Sequence, residues 1–378
     1  MTETVFRNAR VVLPDEVVAG SVKIVDGAIA SIGTGASSVG EDLDGDYLLP
    51  GLIELHTDQL ENHYRPRPGV YWNPLAALQA HDVQIAGSGI TTVFDAVRIG
   101  SDPETPGGMS EHVQVLVDAI AHGVEDGRLK ADHLIHLRCE LPTPDVLSDF
   151  ERFCQLPLVK LASVMDHTPG QRQYQTVSKY VQYYKERMRF TDAEMDAFIA
   201  ERHKDQARFS ARNRTAILKR GLEVGIAFAS HDDATDEHVA ESVEDGVSIA
   251  EFPTTMIAAE HSHGAGLAVL MGAPNVVRGG SHSGNIAAVD LAREGCLDIL
   301  SSDYVPGALL LATFMLPEAA GIELAEAVRM VTATPARAAH LDDRGEIAAG
   351  RRADLVRVRM HGDMPVVRGV WRQGQRVS

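Results

Sequence analysis

Cysteine is scarce in this chain. Cys139, Cys154 and Cys296 are too few, and odd in number, to build a disulfide framework, which points to a reducing compartment. Nothing approaches the roughly 20 consecutive apolar residues needed to cross a bilayer. The first ten residues carry charges and no apolar core of the secretory kind. The cytoplasm is therefore the expected location, with no membrane partner. Positive charge is also in short supply: 35 Lys and Arg against 53 Asp and Glu leave a net charge of −18. Non-specific nucleic-acid binding, which needs a basic face, is excluded on that ground. An anionic substrate would be repelled by the global field, so arginines or a cation must reverse that field locally.

Apolar residues make up 44% of the chain, enough for a large core. The length, 378 residues, suits a barrel of about 250 residues plus a smaller unit. Residues 4–12 and 21–25 read as strands around the Asp26-Gly27 turn. Residues 353–358 and a hairpin over 366–377 around Gln373-Gly374 read the same way at the other end. Neither end can bury a core alone. The two ends, 1–49 and 342–378, are expected to pair into one small β-sandwich domain with 50–341 inserted between them.

The inserted region alternates short apolar strands with helical stretches, the pattern of a parallel sheet. Eight strands are expected, over residues 51–56, 90–95, 133–140, 159–165, 225–230, 248–252, 268–273 and 298–302. The fold class expected is α/β, a (β/α)8 TIM-type barrel. An open doubly wound sheet is the alternative, but no GxGxxG turn follows the first strand. About sixty residues separate the fourth and fifth strands, far more than a loop needs. They read as a helical insertion, about 175–221, with helices over 177–189 and 191–221. Thr191 and Glu194 form a capping-box pattern at the second helix. A decorative hairpin, a lid and a homo-oligomer contact all remain open for it.

In such barrels the reacting groups stand at the C-terminal ends of strands. Five of the eight strands end on candidate metal ligands. The first gives Glu54, His56 and Asp58 on one face, because side chains alternate along a strand. The third presents His136, Arg138 and Glu140, with Glu140 nearest the mouth. The fourth ends in Asp166-His167, the fifth in His231-Asp232-Asp233 and the eighth in Asp303. Imidazole nitrogen and carboxylate oxygen suit a divalent metal that keeps one position open for water. Such an ion brings the pKa of water towards neutrality. Glu140 could bridge two ions, and Asp303 could act as the catalytic group that takes the water's proton. His133 and His136 lie deeper and read as hydrogen-bonded core groups. Asp233 reads as a helix N-cap.

Four arginines fall in loops after strands: Arg65 and Arg67, stiffened by neighbouring prolines, then Arg172 and Arg278. Guanidinium groups grip phosphate oxygens bidentately. The glycine-rich run 279–285 offers backbone N–H groups for an anion nest, with His282 as a phosphate contact. Phosphoryl chemistry explains these groups. C–N hydrolysis by a deaminase or cyclic amidase, which needs none of them, is the competing enzyme reading, and a non-catalytic scaffold is the third.

The segment Leu48-Leu-Pro50-Gly51-Leu-Ile-Glu-Leu-His56 resembles the first-strand signature of the amidohydrolase superfamily, and 345–356 resembles its closing segment. Glu54-Leu-His-Thr-Asp58, Leu137-Arg-Cys-Glu-Leu-Pro142, Met165-Asp-His-Thr-Pro-Gly-Gln-Arg-Gln173, Ser230-His-Asp-Asp-Ala-Thr235 and Leu300-Ser-Ser-Asp-Tyr304 narrow the likeness. They are similar to the family of alpha-D-ribose 1-methylphosphonate 5-triphosphate diphosphatases of the carbon–phosphorus lyase pathway. The resemblance runs from about Arg10 to the C-terminus. It implies hydrolysis of a small anionic sugar triphosphate to the 5-phosphate and diphosphate. It implies His56, Asp58, Glu140, His167, His231 and Asp303 as metal ligands. The wider superfamily carries H-x-H where this chain has His56-x-Asp58. That leaves one or two divalent ions open, with zinc expected first and manganese, iron or magnesium as alternatives.

Overall fold

Alternating burial organises the first sheet. Strands β1 (Glu3–Val12), β2 (Val17–Val25), β3 (Ala28–Thr34), β4 (Glu41–Asp42) and β5 (Tyr47–Pro50) come from the beginning of the chain. The computed structural model describes residues 2–101, 112–172, 181, 190–281 and 284–378. Eight strands, β6 (Leu52–Thr57), β7 (Ile90–Ile99), β8 (Asp132–Glu140), β9 (Val159–Met165), β10 (Ala227–His231), β11 (Ile249–Glu251), β12 (Ala268–Gly272) and β13 (Ile299–Ser301), follow. The chain closes with β14 (Leu355–His361), β15 (Met364–Arg372) and β16 (Gln375–Arg376).

The two ends of the chain meet in one sheet of order β16-β15-β14-β5-β1-β2-β3, with β4 on β1. The junction is the antiparallel pair β5–β14, where Leu48 faces Arg357. Phe6, Val22, Ile24, Leu48, Leu355 and Trp371 form its core, with the Phe6 and Trp371 ring centroids 4.6 Å apart. The expected hairpin turns both adopt left-handed backbone, Asp26 and Gly27 at φ 49° and 84°, Gln373 and Gly374 at 51° and 72°. The turns also touch. A Cβ on Gly27 would come 2.9 Å from the Gln373 carbonyl oxygen, so glycine is required by crowding as well as by φ.

The other eight strands form a parallel sheet in chain order from β6 to β13. Residues along β6 are buried throughout, as a strand covered on both faces requires. The first and last strands meet through a bridge between Thr57 and Asp303, so the sheet closes as a (β/α)8-type barrel. Every expected barrel strand is present, with ends shifted by at most a residue, except that β10 begins two residues late and β7 runs on to Ile99 and so carries Arg98. No helix among the described residues is long and apolar enough to cross a membrane.

Packing divides the chain into two units. One comprises Met1–Asp95, Ala119–Leu134 and Leu270–Ser378, the other Ala96–Asp118 and Ile135–Val269. In the second unit, the helix Asp192–Glu223 starts at the expected capping box, with Thr191 accepting from the Glu194 N–H and Glu194 accepting from the Thr191 N–H at 2.8 Å. Asn213 on that helix donates to the carbonyls of Leu141 and Thr143 at 2.9 and 2.8 Å, clamping it to the end of β8. The helix expected over 177–189 lies outside the described residues apart from 181.

The first unit contains a buried ionic chain. His133 contacts Asp95 at 2.7 Å and Asp82 at 3.3 Å, and Asp95 meets His81 at 2.8 Å. His133 thus has the hydrogen-bonded core role expected of it. Burial alone would lower its pKa, but Asp95 and Asp82 outweigh burial and raise it from 6.5 to about 9. Burial would raise Asp95, but His133 and His81 outweigh it and bring its pKa from 3.8 to about 2. The stability from His133 is complete below pH 6.5 and is lost as pH rises through about 9, while that from Asp95 is complete above 3.8 and is lost as pH falls through about 2. Urea unfolding across pH should therefore show a plateau between 3.8 and 6.5 and a decline from 6.5 to about 9. Asp95→Asn should lower stability on that plateau by about 3–5 kcal/mol and flatten the alkaline decline. An unaltered alkaline limb in the variant would contradict this assignment.

Candidate metal centre

In the first unit, β6 supplies His56, and Asp58 follows just past its end. His56 is 2% exposed. Its backbone is held on both sides: its N–H donates to Glu54 at 2.6 Å, and its carbonyl accepts from the Asp303 N–H at 3.1 Å and the Ser301 hydroxyl at 2.6 Å. Thr57 donates its hydroxyl to the Asp303 carbonyl at 2.6 Å. Asp303 is thereby pinned beside the end of β6, in left-handed backbone at φ 54°. Glu54 is fully buried and accepts from Ser301 and Ser302 as well as His56. Burial pushes its carboxyl up to about 7 against those hydrogen bonds. Asp58 occupies the N-cap position of the helix Gln59–Tyr64 without capping it. Its Oδ1 is buried and has no hydrogen-bond partner.

In the second unit, two imidazoles are gripped from behind. His167 places Nδ1 2.6 Å from the Glu140 carboxylate, and His231 places Nδ1 2.7 Å from Glu251. Arg98, on the extension of β7, reaches Glu140 at 3.1 Å. Burial opposes ionisation of Glu140, but the charges of His167 and Arg98 outweigh it and hold the carboxyl well below the usual carboxylate range. Burial opposes the charged form of His167 too, but the Glu140 carboxylate outweighs burial and the opposing charge of Arg98 and raises His167 above an ordinary imidazole. With each Nδ1 engaged, the Nε2 atoms point the other way, 3.9 and 3.5 Å from Oδ2 of Asp232. That oxygen is buried and has no hydrogen-bond partner.

The donor set fits a metal. The ligand atoms of His167, His231 and Asp232 lie within 4.8 Å of one another. Ligand bonds of about 2.0–2.2 Å span that spacing with small side-chain movements. The orphaned carboxylate oxygen of Asp232 is what a cation there would satisfy, and Asp58 offers another in the first unit. A carboxylate behind each imidazole fixes its tautomer and orientation, as in histidine metal sites generally. Asp232 sits at φ 57° and Phe252, after β11, at φ 55°. Such non-glycine backbone costs about 1–3 kcal/mol each and collects at functional sites.

The amidohydrolase family matches residues 159–377, more than half of the chain. The chain belongs to the amidohydrolase family. It is 47% identical over 377 residues, 99% of its length and 100% of the relative's, to the alpha-D-ribose 1-methylphosphonate 5-triphosphate diphosphatase of Escherichia coli (strain K12). Solved amidohydrolase-like structures share the fold at much lower identity. N-acetylglucosamine-6-phosphate deacetylase from Pasteurella multocida has a TM-score of 0.62 and 16% identity, with 99% of each chain covered. Dihydropyrimidinase from Brevibacillus agri has a TM-score of 0.62 and 15% identity, with 99% of this chain and 95% of the other covered.

Among the residues expected to meet the phosphates, Arg67 and Arg278 are exposed. Arg65 is half-buried, with its guanidinium 5.8 Å from the Tyr71 ring centre. Arg172 is 6% exposed and ion-paired to Asp233 and to Glu241, the latter at 2.7 Å, so its charge is already matched within the protein. His282 lies outside the described residues. Asp233 caps no helix: Thr235 is the N-cap there, and Asp233 is buried against Arg172 and Ser242. Sequence reasoning passed over Glu251 and Arg98. Glu251 is the last residue of β11, the same signal used for the other strand ends, and Arg98 appears only once β7 extends past residue 95. Replacing Glu251 with Gln should lower the affinity for divalent metal about 10–100-fold, read as metal retained through dialysis. Full retention would show that Glu251 does not orient His231 for an ion.

Proposed function

We propose that the protein hydrolyses alpha-D-ribose 1-methylphosphonate 5-triphosphate to the 5-phosphate and diphosphate. The reading is carried by full-length similarity to the diphosphatase relative, whose coverage includes the His56-x-Asp58 pair and the two carboxylate-backed imidazoles. In our reading the groups that would hold divalent metal, zinc first, are His56, Asp58 and Asp303 in the first unit and His167 and His231 in the second, with Asp232 as a further ligand there and Glu140 behind His167. Both oxygens of Glu140 are engaged, Oε1 by the His167 backbone N–H and Oε2 by its Nδ1 and by Arg98, which favours the orienting role over direct ligation. When bound, such an ion supplies the positive charge that acidifies water and draws electron density from phosphorus.

The chain's own groups do the rest. Asp303, fixed by the Thr57 and His56 hydrogen bonds, accepts a proton from the attacking water. The water oxygen forms a bond to the phosphorus nearest the ribose, and the bond from that phosphorus to the anhydride oxygen breaks. Diphosphate departs with the electron pair, and the proton returns from Asp303 to the leaving group or to solvent. Arg65, Arg67 and Arg278 compensate the triphosphate charge, which the protein's net −18 would otherwise repel. The three cysteines, all buried and none in a disulfide, fit a reducing cytoplasm.

Hydrolysis in 18O-labelled water, followed by phosphorus NMR, tests the site of attack. The label should appear in the sugar 5-phosphate, and label confined to diphosphate would reject the mechanism. Asp303→Asn should reduce kcat by about 10²–10⁴-fold. Retention of near-normal kcat would remove Asp303 from the proton's path.

A further inference from the structure

The second unit carries a solvent-open cleft of about 450 Å³, within the range of roughly 300–1,000 Å³ typical of small-molecule sites. Its wall includes Asp166, Gln171, Arg172, Gln206, Ser210 and Arg214. It adjoins the metal-binding residues along the chain. Asp166 immediately precedes His167, and Arg172 is paired to Asp233, which immediately follows Asp232. One wall belongs to the long helix Asp192–Glu223 of the insertion.

Two guanidiniums in this wall, those of Arg172 and Arg214, are each 6% exposed. Arg172 holds Asp233 and Arg214 holds Asp245, so each has one permanent carboxylate. A third carboxylate lies between them. Glu241 sits 2.7 Å from Arg172 and 3.4 Å from Arg214, and its side chain is 48% exposed. Arg214 still has a spare donor, because its Nη2 is buried without a hydrogen-bond partner. Buried guanidinium N–H groups left unpaired are costly. A half-exposed glutamate at the end of a flexible side chain is the most easily moved member of the group.

We propose that Arg172 and Arg214 form an anion subsite for the methylphosphonate end of the substrate, occupied by Glu241 until the substrate displaces it. Charge decides which end of the substrate it takes. A phosphonate monoester carries one negative charge, as Glu241 does, so exchange leaves the buried balance unchanged. A triphosphate carries several and would leave excess negative charge beside Asp233 and Asp245. The phosphonate oxygens also offer Arg214 Nη2 an acceptor, and Gln171, Gln206 and Ser210 offer partners for ribose hydroxyls. The proposal rests on the diphosphatase reading above and names the residues that select its substrate.

The test compares kcat/KM for ribose 1-methylphosphonate 5-triphosphate with that for methyl riboside 5-triphosphate, which has no anion at the 1-position. Arg214→Gln should lower the ratio of the two values about tenfold, and Glu241→Gln should raise it by a similar factor as the internal competitor is lost. If Arg214→Gln fails to fold, the direction of the Glu241→Gln shift alone decides. An unchanged ratio, or a shift of the opposite sign, overturns the subsite. If the wild-type protein cleaves neither triphosphate, the diphosphatase reading falls and the subsite with it, an outcome distinct from an unchanged ratio.

Discussion

Two hydrogen bonds between a buried carboxylate and an imidazole, Glu140 to His167 and Glu251 to His231, are what the rest of the site depends on. Neither Glu140 nor Glu251 exposes more than a few per cent of its surface. A carboxylate so placed is tolerable only when paired. Each pairing therefore stabilises the charge and at the same time fixes which imidazole nitrogen is left to face Asp232. The ligand geometry is thus built into the fold before any ion arrives, and loading requires little rearrangement.

The barrel explains how residues far apart in sequence reach this arrangement. Strand register sets each carboxylate opposite its histidine: β10 and β11 pair His231 with Glu251 directly, and β8 with β9 sets Glu140 opposite Met165, two residues before His167. Residues after the strand ends then turn sharply through left-handed backbone at Asp232, Phe252 and Asp303. Aspartate tolerates that conformation better than most side chains, which suits it to these positions. In the other unit the fully buried Glu54 does comparable work, tying the end of β6 to Ser301 and Ser302 and so aligning His56 with Asp303.

Much of this was legible in the sequence. Parallel strands buried on both faces are continuous apolar runs, and their C-terminal residues stand out because they are polar. That is why His56, Asp58, Glu140, His167, His231 and Asp303, at or just past strand ends, stand out in the sequence. The supporting pairs were harder to see, because nothing local says which carboxylate faces which imidazole across 20 or 27 residues. Arg172 shows the converse limit. A loop arginine reads as free positive charge until the fold brings Asp233 and Glu241 against it. Asp233 reads locally as a helix cap for the same reason, since its partner lies 61 residues earlier.

The most direct test of the account is anomalous scattering from crystals loaded with zinc or cobalt. The account predicts a peak about 2.0–2.1 Å from Nε2 of both His167 and His231, with each Nδ1 still bonded to its carboxylate. A protein that is active with metal but shows no peak near these two nitrogens, or shows an ion bound through Nδ1 with Glu140 or Glu251 displaced, would contradict it.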